Sequence, residues 1–284
     1  MVSGEAEQLA LAGMPKRLFT CTPTRLTTWL DCPRRYRFTY LDRPQPPKGG
    51  PWAHNSLGVS LHNTLALWWR LPLERRTVDR AGALLASTWI GDGYRDDEQE
   101  QRWRARSREM VERYVATLDP EDEPVGIERT VALRTDLIAV SGRVDRLDER
   151  LVDGAEQVVV VDYKTGRSLL TVDDAKSSLA LAVYAAAAAR TLRRPCTRVE
   201  LHHLPTGQVV THNHTEDSIA RHLRRAESIG TEAAAAGALA PEEFRPHVSP
   251  ACAWCDFSRH CPEGSAAYPP RRSWDGLAVE DPQD

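Results

Sequence analysis

The sequence predicts an α/β fold in a single domain spanning 1–284. A small central mixed sheet is flanked by helices, and a metal cluster staples the N- and C-terminal segments together. Three observations carry this reading. Helical periodicity dominates residues 18–125, and strand-like patterns begin near Gly126. Cys252, Cys255 and Cys261 crowd together near the end, with Cys32 far upstream as a candidate fourth member.

The chain has 284 residues, enough to bury a sizeable core, and its 41% hydrophobic and 27% charged content is that of an ordinary globular protein. A formal net charge of −3 excludes a uniformly basic wrap for nucleic acid, so any such contact must come from local patches. The apolar run from Leu179 to Ala189 falls short of the ~20 residues a membrane span needs. Glu5 and Glu7 argue against a secretory leader, so a cytoplasmic location without membrane contact is expected. In that compartment the six cysteines are expected to bind metal or stay free rather than form disulfides.

Residues 1–17 read as a loose tail. Thr22 or Thr24 caps a helix running through Leu26, Trp29 and Leu30 toward Cys32-Pro33. Arg34, Arg35 and Arg37 then interleave with Tyr36 and Phe38. That composition suits phosphates and stacked bases if exposed, and an ordinary helix end if the rings turn inward. Arg43 to Pro51 is a loop rich in proline and glycine. Residues 58–70 have helical spacing, with Leu61, Leu65 and Trp68 as one stripe and His62 on its flank. Residues 80–118 hold two more helices, the second carrying a solvated row of arginines.

Strands are expected at 127–133, 137–147 and 156–164, and the run Val158 to Val161 suits a strand buried on both faces. An alanine-rich helix follows over 175–192, then a hairpin of 198–204 and 208–213 around Thr206-Gly207. A helix over 216–238 leads to the cysteine segment, and 269–284 reads as a frayed tail. The chain thus divides into a helical part (18–125), a sheet core (126–215) and a helix with the cysteine segment (216–268).

If Asp153-Gly154 makes a two-residue turn, Val152 faces Ala155 and Asp145 lies opposite Asp162, with Lys164 on the same face. Two carboxylates ~5 Å apart repel each other unless a cation lies between them. Hard oxygen ligands suit Mg²⁺ or Mn²⁺, and Lys164 would hold the attacking water or the charge that builds on a phosphate. Solvated strand residues beside a lysine are the plain alternative. Glu128, opening the preceding strand, reads either as a supporting carboxylate or as a solvated strand end. The three clustered cysteines need a fourth ligand, for which Cys32 is the best candidate. Zinc, held with Cys32, His247 or His260, fits the same spacing. Cys21 and Cys196 read as buried or free thiols.

With these motifs the chain resembles the RecB-like branch of the PD-(D/E)XK nuclease superfamily, over nearly its whole length. Thr22-Pro-Thr-Arg-Leu26 with Cys32-Pro-Arg-Arg-Tyr36 resembles the opening helix of that branch, and Leu57-Gly58 leading to His62 its G-x-x-x-H helix. Gly142-Arg-Val-Asp-Arg146 resembles the G-x-x-D-R strand and Asp162-Tyr-Lys-Thr-Gly166 the D-x-K-T-G strand. Tyr184 matches the tyrosine of the Q-x-x-x-Y helix.

The resemblance implies a restriction-endonuclease-like core. His62, Asp145, Asp162 and the Tyr163 carbonyl would be metal ligands, with the imidazole favouring Mn²⁺, and Lys164 the catalytic lysine. Tyr184 would touch nucleic acid or buttress the site. A [4Fe–4S] cluster on Cys32, Cys252, Cys255 and Cys261 is also implied. The implied activity is that of a metal-dependent DNA exonuclease in repair or recombination, acting on single-stranded DNA or DNA ends. With no Walker A motif in the chain, unwinding would fall to a separate helicase or repair partner. One position departs from the pattern: Ala180 stands where the glutamine is expected. It leaves a second reading, a non-catalytic nucleic-acid-binding or scaffold subunit that retains the cluster.

Overall fold

The computed structural model describes residues 18–152 and 154–278. In chain order the elements are β1 (Phe19–Cys21), α1 (Pro23–Asp31), α2 (Pro33–Tyr40), α3 (Ala53–Trp69), α4 (Val78–Thr88), α5 (Asp97–Val115), β2 (Gly126–Arg134), β3 (Ile138–Val152), β4 (Ala155–Lys164), α6 (Val172–Ser177), α7 (Leu179–Leu192), β5 (Arg198–His203), β6 (Gln208–Asn213), α8 (Glu216–Ala235) and α9 (Pro262–Ala267), with short 3₁₀ turns between some of them. One mixed sheet runs in the order β1-β3-β4-β5-β6, with β2 also paired to β3. The β1–β3 and β4–β5 pairs are parallel, and the β2–β3, β3–β4 and β5–β6 pairs antiparallel.

The valine run of β4 is buried on both faces, as its composition predicts. Val158 and Val160 enter one core, with Leu26 of α1, Val183 of α7 and Ile229 of α8. Val159 and Val161 enter the other, with Leu61 and Leu65 of α3, Leu85 of α4 and Val111 of α5. Each buried valine contributes roughly 1.5–3 kcal/mol relative to exposure. Alternation within one strand thereby clamps two helical layers onto a single sheet, which fixes where the strand's polar end emerges.

Local chemistry sets the helix ends. Thr22 caps α1, its hydroxyl accepting from the Arg25 N–H at 3.0 Å, with Pro23 at the first helical position. The single helix expected over 175–192 is instead two. Ser178 leaves the helical region at ψ 108 and caps α7 by accepting from the Leu181 N–H at 3.2 Å. Its hydroxyl competes with the backbone ladder, which is why serine favours caps over interiors.

Arg146 is buried in the second core. It makes two 2.9 Å contacts to Asp148, reaches Tyr163 Oη at 3.2 Å and lies over the Trp69 ring at 4.9 Å. Arg146→Met strands much of the buried Asp148 charge, and urea unfolding is expected to register a loss of about 3 kcal/mol.

Residues 269–278 correct the expectation of a frayed tail. The Arg271 N–H donates to the Ala253 carbonyl at 2.8 Å, and the Ser273 carbonyl accepts from the Ala53 N–H at 3.1 Å. Leu277 is buried against α3 and α5, and its carbonyl accepts from the Trp103 indole at 2.9 Å. One well-placed leucine anchors the segment. Residues 1–17 and 279–284 lie outside the described residues. No helix among the described residues is long and apolar enough to cross a membrane.

Candidate active site

The hairpin register forms as expected from Val152↔Ala155 to Arg146↔Val161, and Gly154 takes the positive φ of +80° that a tight turn requires. Asp153, the other turn residue of the sequence argument, lies outside the described residues. Beyond Arg146↔Val161 the geometry departs from the prediction. The β3–β4 ladder stops there, and β4 continues pairing with β5 through Asp162↔Leu201 and Lys164↔His203. Asp145 is therefore not a ladder partner of Asp162. Its Oδ2 accepts the Tyr163 N–H at 2.8 Å, so the side chain fills the gap where the two strands part.

Three elements bring donors to this gap. His62 of α3 sets Nδ1 3.2 Å from Asp145 Oδ1. Glu128 of β2 sits between the pairs Ile127↔Arg146 and Arg129↔Val144, hence opposite Asp145. One imidazole nitrogen and one oxygen from each carboxylate lie within 4.8 Å of one another. Glu128 is thus a member of the donor group itself, where the sequence offered it as a supporting carboxylate or a solvated strand end. Its φ of +49° is left-handed, a conformation that costs a residue with a Cβ roughly 1–2 kcal/mol and is typically retained where function uses it. Arg143 Nε contacts its Oε2 at 2.6 Å.

Asp162 is turned toward Lys164, with Oδ2 2.6 Å from Nζ. Burial pushes the Asp162 carboxyl above its usual range; Lys164 pulls it down, and Asp145 adds to the rise. Burial also raises Glu128, again with Asp145 contributing. His62 is raised because its hydrogen bond to Asp145 and the neighbouring carboxylates outweigh burial. Burial lifts the Tyr184 phenol to about 12, helped by Asp162 and Asp145. Such crowding of acids is relieved by a divalent cation, and a set of hard oxygens with one imidazole fits Mg²⁺ or Mn²⁺.

Tyr184 of α7 explains a motif glycine. A Cβ on Gly142 would lie 2.5 Å from Tyr184 Cε1, so β3 must be bare there for the ring to reach the site. Gly142→Ala displaces the ring; a thermal melt should show a loss of about 1–3 kcal/mol, the usual penalty of overpacking. Ala180 is one turn away on the same helix and brings no hydrogen-bonding group. The donors open into a cleft of about 1080 Å³ whose lining includes His62, Glu128, Asp145, Arg143, Tyr184 and Arg167.

The basic–aromatic run after Cys32 resolves toward packing. Tyr36 is 0% exposed, its ring edge-on to Trp29 and its hydroxyl accepting from Arg25. It has no free face for a base. Arg34 donates to the Phe244 carbonyl at 3.1 Å and pairs with Glu263 at 2.7 Å. Arg35 is half-buried and, with Arg34, borders a second cavity.

That cavity is lined by Cys32, Cys252, Cys255 and Cys261, the four cysteines the sequence grouped. Backbone N–H groups of Arg35 and His247 point at Cys32 Sγ and that of Ser249 at Cys252 Sγ, each at 3.5 Å. A Cβ on Gly264 would meet the sulfurs of both Cys252 and Cys261 at 3.3 Å. All four thiols are free. Cys21 and Cys196 are buried elsewhere, and burial raises both thiols.

A family model described as the PD-(D/E)XK nuclease superfamily matches residues 20–262. No curated protein matches the chain. Among solved structures, one described as "Crystal structure of SSO0001" is similar over 87% of each chain, with 15% identity and a TM-score of 0.40.

Proposed function

Since the chain belongs to the PD-(D/E)XK nuclease superfamily, we propose that it is a metal-dependent DNA exonuclease of the RecB-like type. It would act in repair or recombination on single strands or strand ends, beside a separate helicase or repair partner. The observation that carries this reading is the convergence of His62, Glu128 and Asp145 on the wall of one open cleft, with the Asp162–Lys164 ion pair at the adjoining end of β4.

His62, Glu128 and Asp145, with Asp162 and the Tyr163 carbonyl beside them, would hold Mg²⁺ or Mn²⁺. The cation would supply Lewis acidity at the phosphate and a lowered pKa for the hydrolytic water. Asp145 stays in place because the Tyr163 N–H fixes one of its oxygens. Lys164, 45% exposed and held by Asp162, directs its ammonium at charge developing on a phosphate oxygen. Tyr184 buttresses the floor of the cleft through its contact with Gly142.

The cysteine cavity is read as a [4Fe–4S] site, with zinc as the alternative. Four cysteines border one shared space, and backbone N–H groups aim at two of their sulfurs, as suits metal-bound thiolates. The role is structural: the cluster ties α1 and α2 to the C-terminal segment.

Ala180 favours the second reading, a scaffold subunit without turnover, and the test separates the two. End-labelled single-stranded DNA is incubated with Mn²⁺ and wild-type protein, Asp162→Ala or Lys164→Ala. Wild type should release mononucleotides from a linear strand and spare a circular one, with Lys164→Ala slower by about 100-fold. Cleavage absent in all three, or equal in all three, would leave the scaffold reading.

A further inference from the structure

The cleft has an aromatic corner that the donor group does not use. Trp254 lies between Cys252 and Cys255 in the cysteine segment, yet it lines the same cleft as His62 and Asp145. Two neighbours from the start of α3 fix the indole: Trp52 at 5.4 Å between ring centroids and His54 edge-on at 5.6 Å. These neighbours are themselves held. The Trp52 indole donates to Asp256 Oδ1 at 2.7 Å, and the Ala253 carbonyl accepts from the Arg271 N–H at 2.8 Å. Behind His54, Gly276 packs so closely that a Cβ there would lie 2.6 Å from Nδ1. Trp254 nonetheless remains 37% exposed, and Val59 beside it on the cleft wall is 49% exposed.

We propose that Trp254 is a base-stacking platform for single-stranded DNA entering the cleft, a specificity-determining residue held by the cysteines on either side of it. The proposal rests on the nuclease reading and names the form of its substrate. The two parts of the cleft divide the work. Arg143 and Arg167 supply positive charge for phosphates, whereas the Trp254 corner is flat and apolar, suited to an uncharged base. A duplex hides its base faces in the stack, so a platform of this kind selects single strands or frayed ends. Tyr36, which the sequence offered for the same task, is buried. The stacking surface comes from the other partner in the cysteine cluster.

The test uses anaerobically purified full-length protein in Ca²⁺, with fluorescence anisotropy of a labelled oligothymidine and of the same strand carrying an abasic tract. Wild type should bind the strand with bases about 5- to 10-fold more tightly than the abasic one, the lower range for one base–aromatic stack. Trp254→Leu should bind both strands equally, and Trp254→Phe should restore most of the preference. Equal affinity of wild type for the two strands, no binding by wild type, or an undiminished preference in Trp254→Leu would overturn the proposal and leave the corner to a protein partner. The strand comparison is made on wild type, so it stands even if the leucine variant fails to fold. Hydrolysis of bis(p-nitrophenyl) phosphate with Mn²⁺ reads the nuclease chemistry separately. Hydrolysis without base preference removes the platform alone, and base preference without hydrolysis removes the nuclease reading alone.

Discussion

Asp162→Asn is expected to lower DNA cleavage by about 100- to 1000-fold while raising the melting temperature of the metal-free protein. The activity loss follows from removing a carboxylate that both faces the metal donors and orients Lys164; a single preorganised group of this kind is worth up to ~10³ in rate. The stability gain follows from the same burial. Asp162 and Glu128 have carboxyls raised above their ordinary values, chiefly by burial, and His62 is raised by Asp145. Groups raised in the folded state contribute stability that is complete below their unfolded pKa. It is lost as the pH rises through the folded one. The metal-free wild type should therefore melt lower as the pH rises out of the carboxylate range and through that of histidine. Mn²⁺ should restore more stability at the higher pH, because ligands bind the metal deprotonated. In Asp162→Asn the pH-dependent fall should be shallower. Scanning fluorimetry with and without Mn²⁺ checks both points, and a variant that melts lower than wild type without metal would contradict the reading.

Cys255→Ser carries the second large effect. The protein should lose a broad absorbance near ~400 nm and the brown colour of an iron–sulfur preparation. It should also lose at least about 3 kcal/mol of stability, or roughly 6 °C or more of melting temperature, because binding energy at a structural metal site is folding energy. The damage should be regional. Without the cluster, α2 keeps the Arg34–Glu263 ion pair and the Phe244 contact, but the segment carrying Trp254 loses its tether. Limited proteolysis should then cut within residues 245–278 well before the sheet. A colourless wild type with stoichiometric zinc would assign the zinc alternative, and an unaltered melt in Cys255→Ser would remove the clamp altogether.

Local and periodic features were legible in the sequence. The valine run, the Gly154 turn with its register, the His62 helix face and the Thr22 cap each depend on residues close in the chain. The closeness of Asp145 to the Asp162–Lys164 end of β4 was legible for that reason. The details that non-local pairing decides were not. The β3–β4 ladder ends at Arg146↔Val161, one pair short of the predicted Asp145–Asp162 pair, while β4 runs on beside β5 to Lys164. Glu128 joins the donors through a left-handed backbone that no local residue preference announces. Leu277 gives the C-terminal segment a seat between α3 and α5, a tertiary contact that its own short stretch of chain does not announce. Tyr36 and Trp254 are both aromatics within four residues of a cluster cysteine, and packing against Trp29 in one case and the open cleft in the other separates them.

His62, Glu128 and Asp145 are expected to hold a divalent cation. Titration of the metal-free protein with Mn²⁺, followed by electron paramagnetic resonance of the free ion, tests it most directly. Wild type should take up one tightly held Mn²⁺ per chain, with affinity falling as the pH drops and His62 takes up a proton, and Asp145→Asn should lose it. Equal Mn²⁺ uptake by wild type and Asp145→Asn would contradict the account.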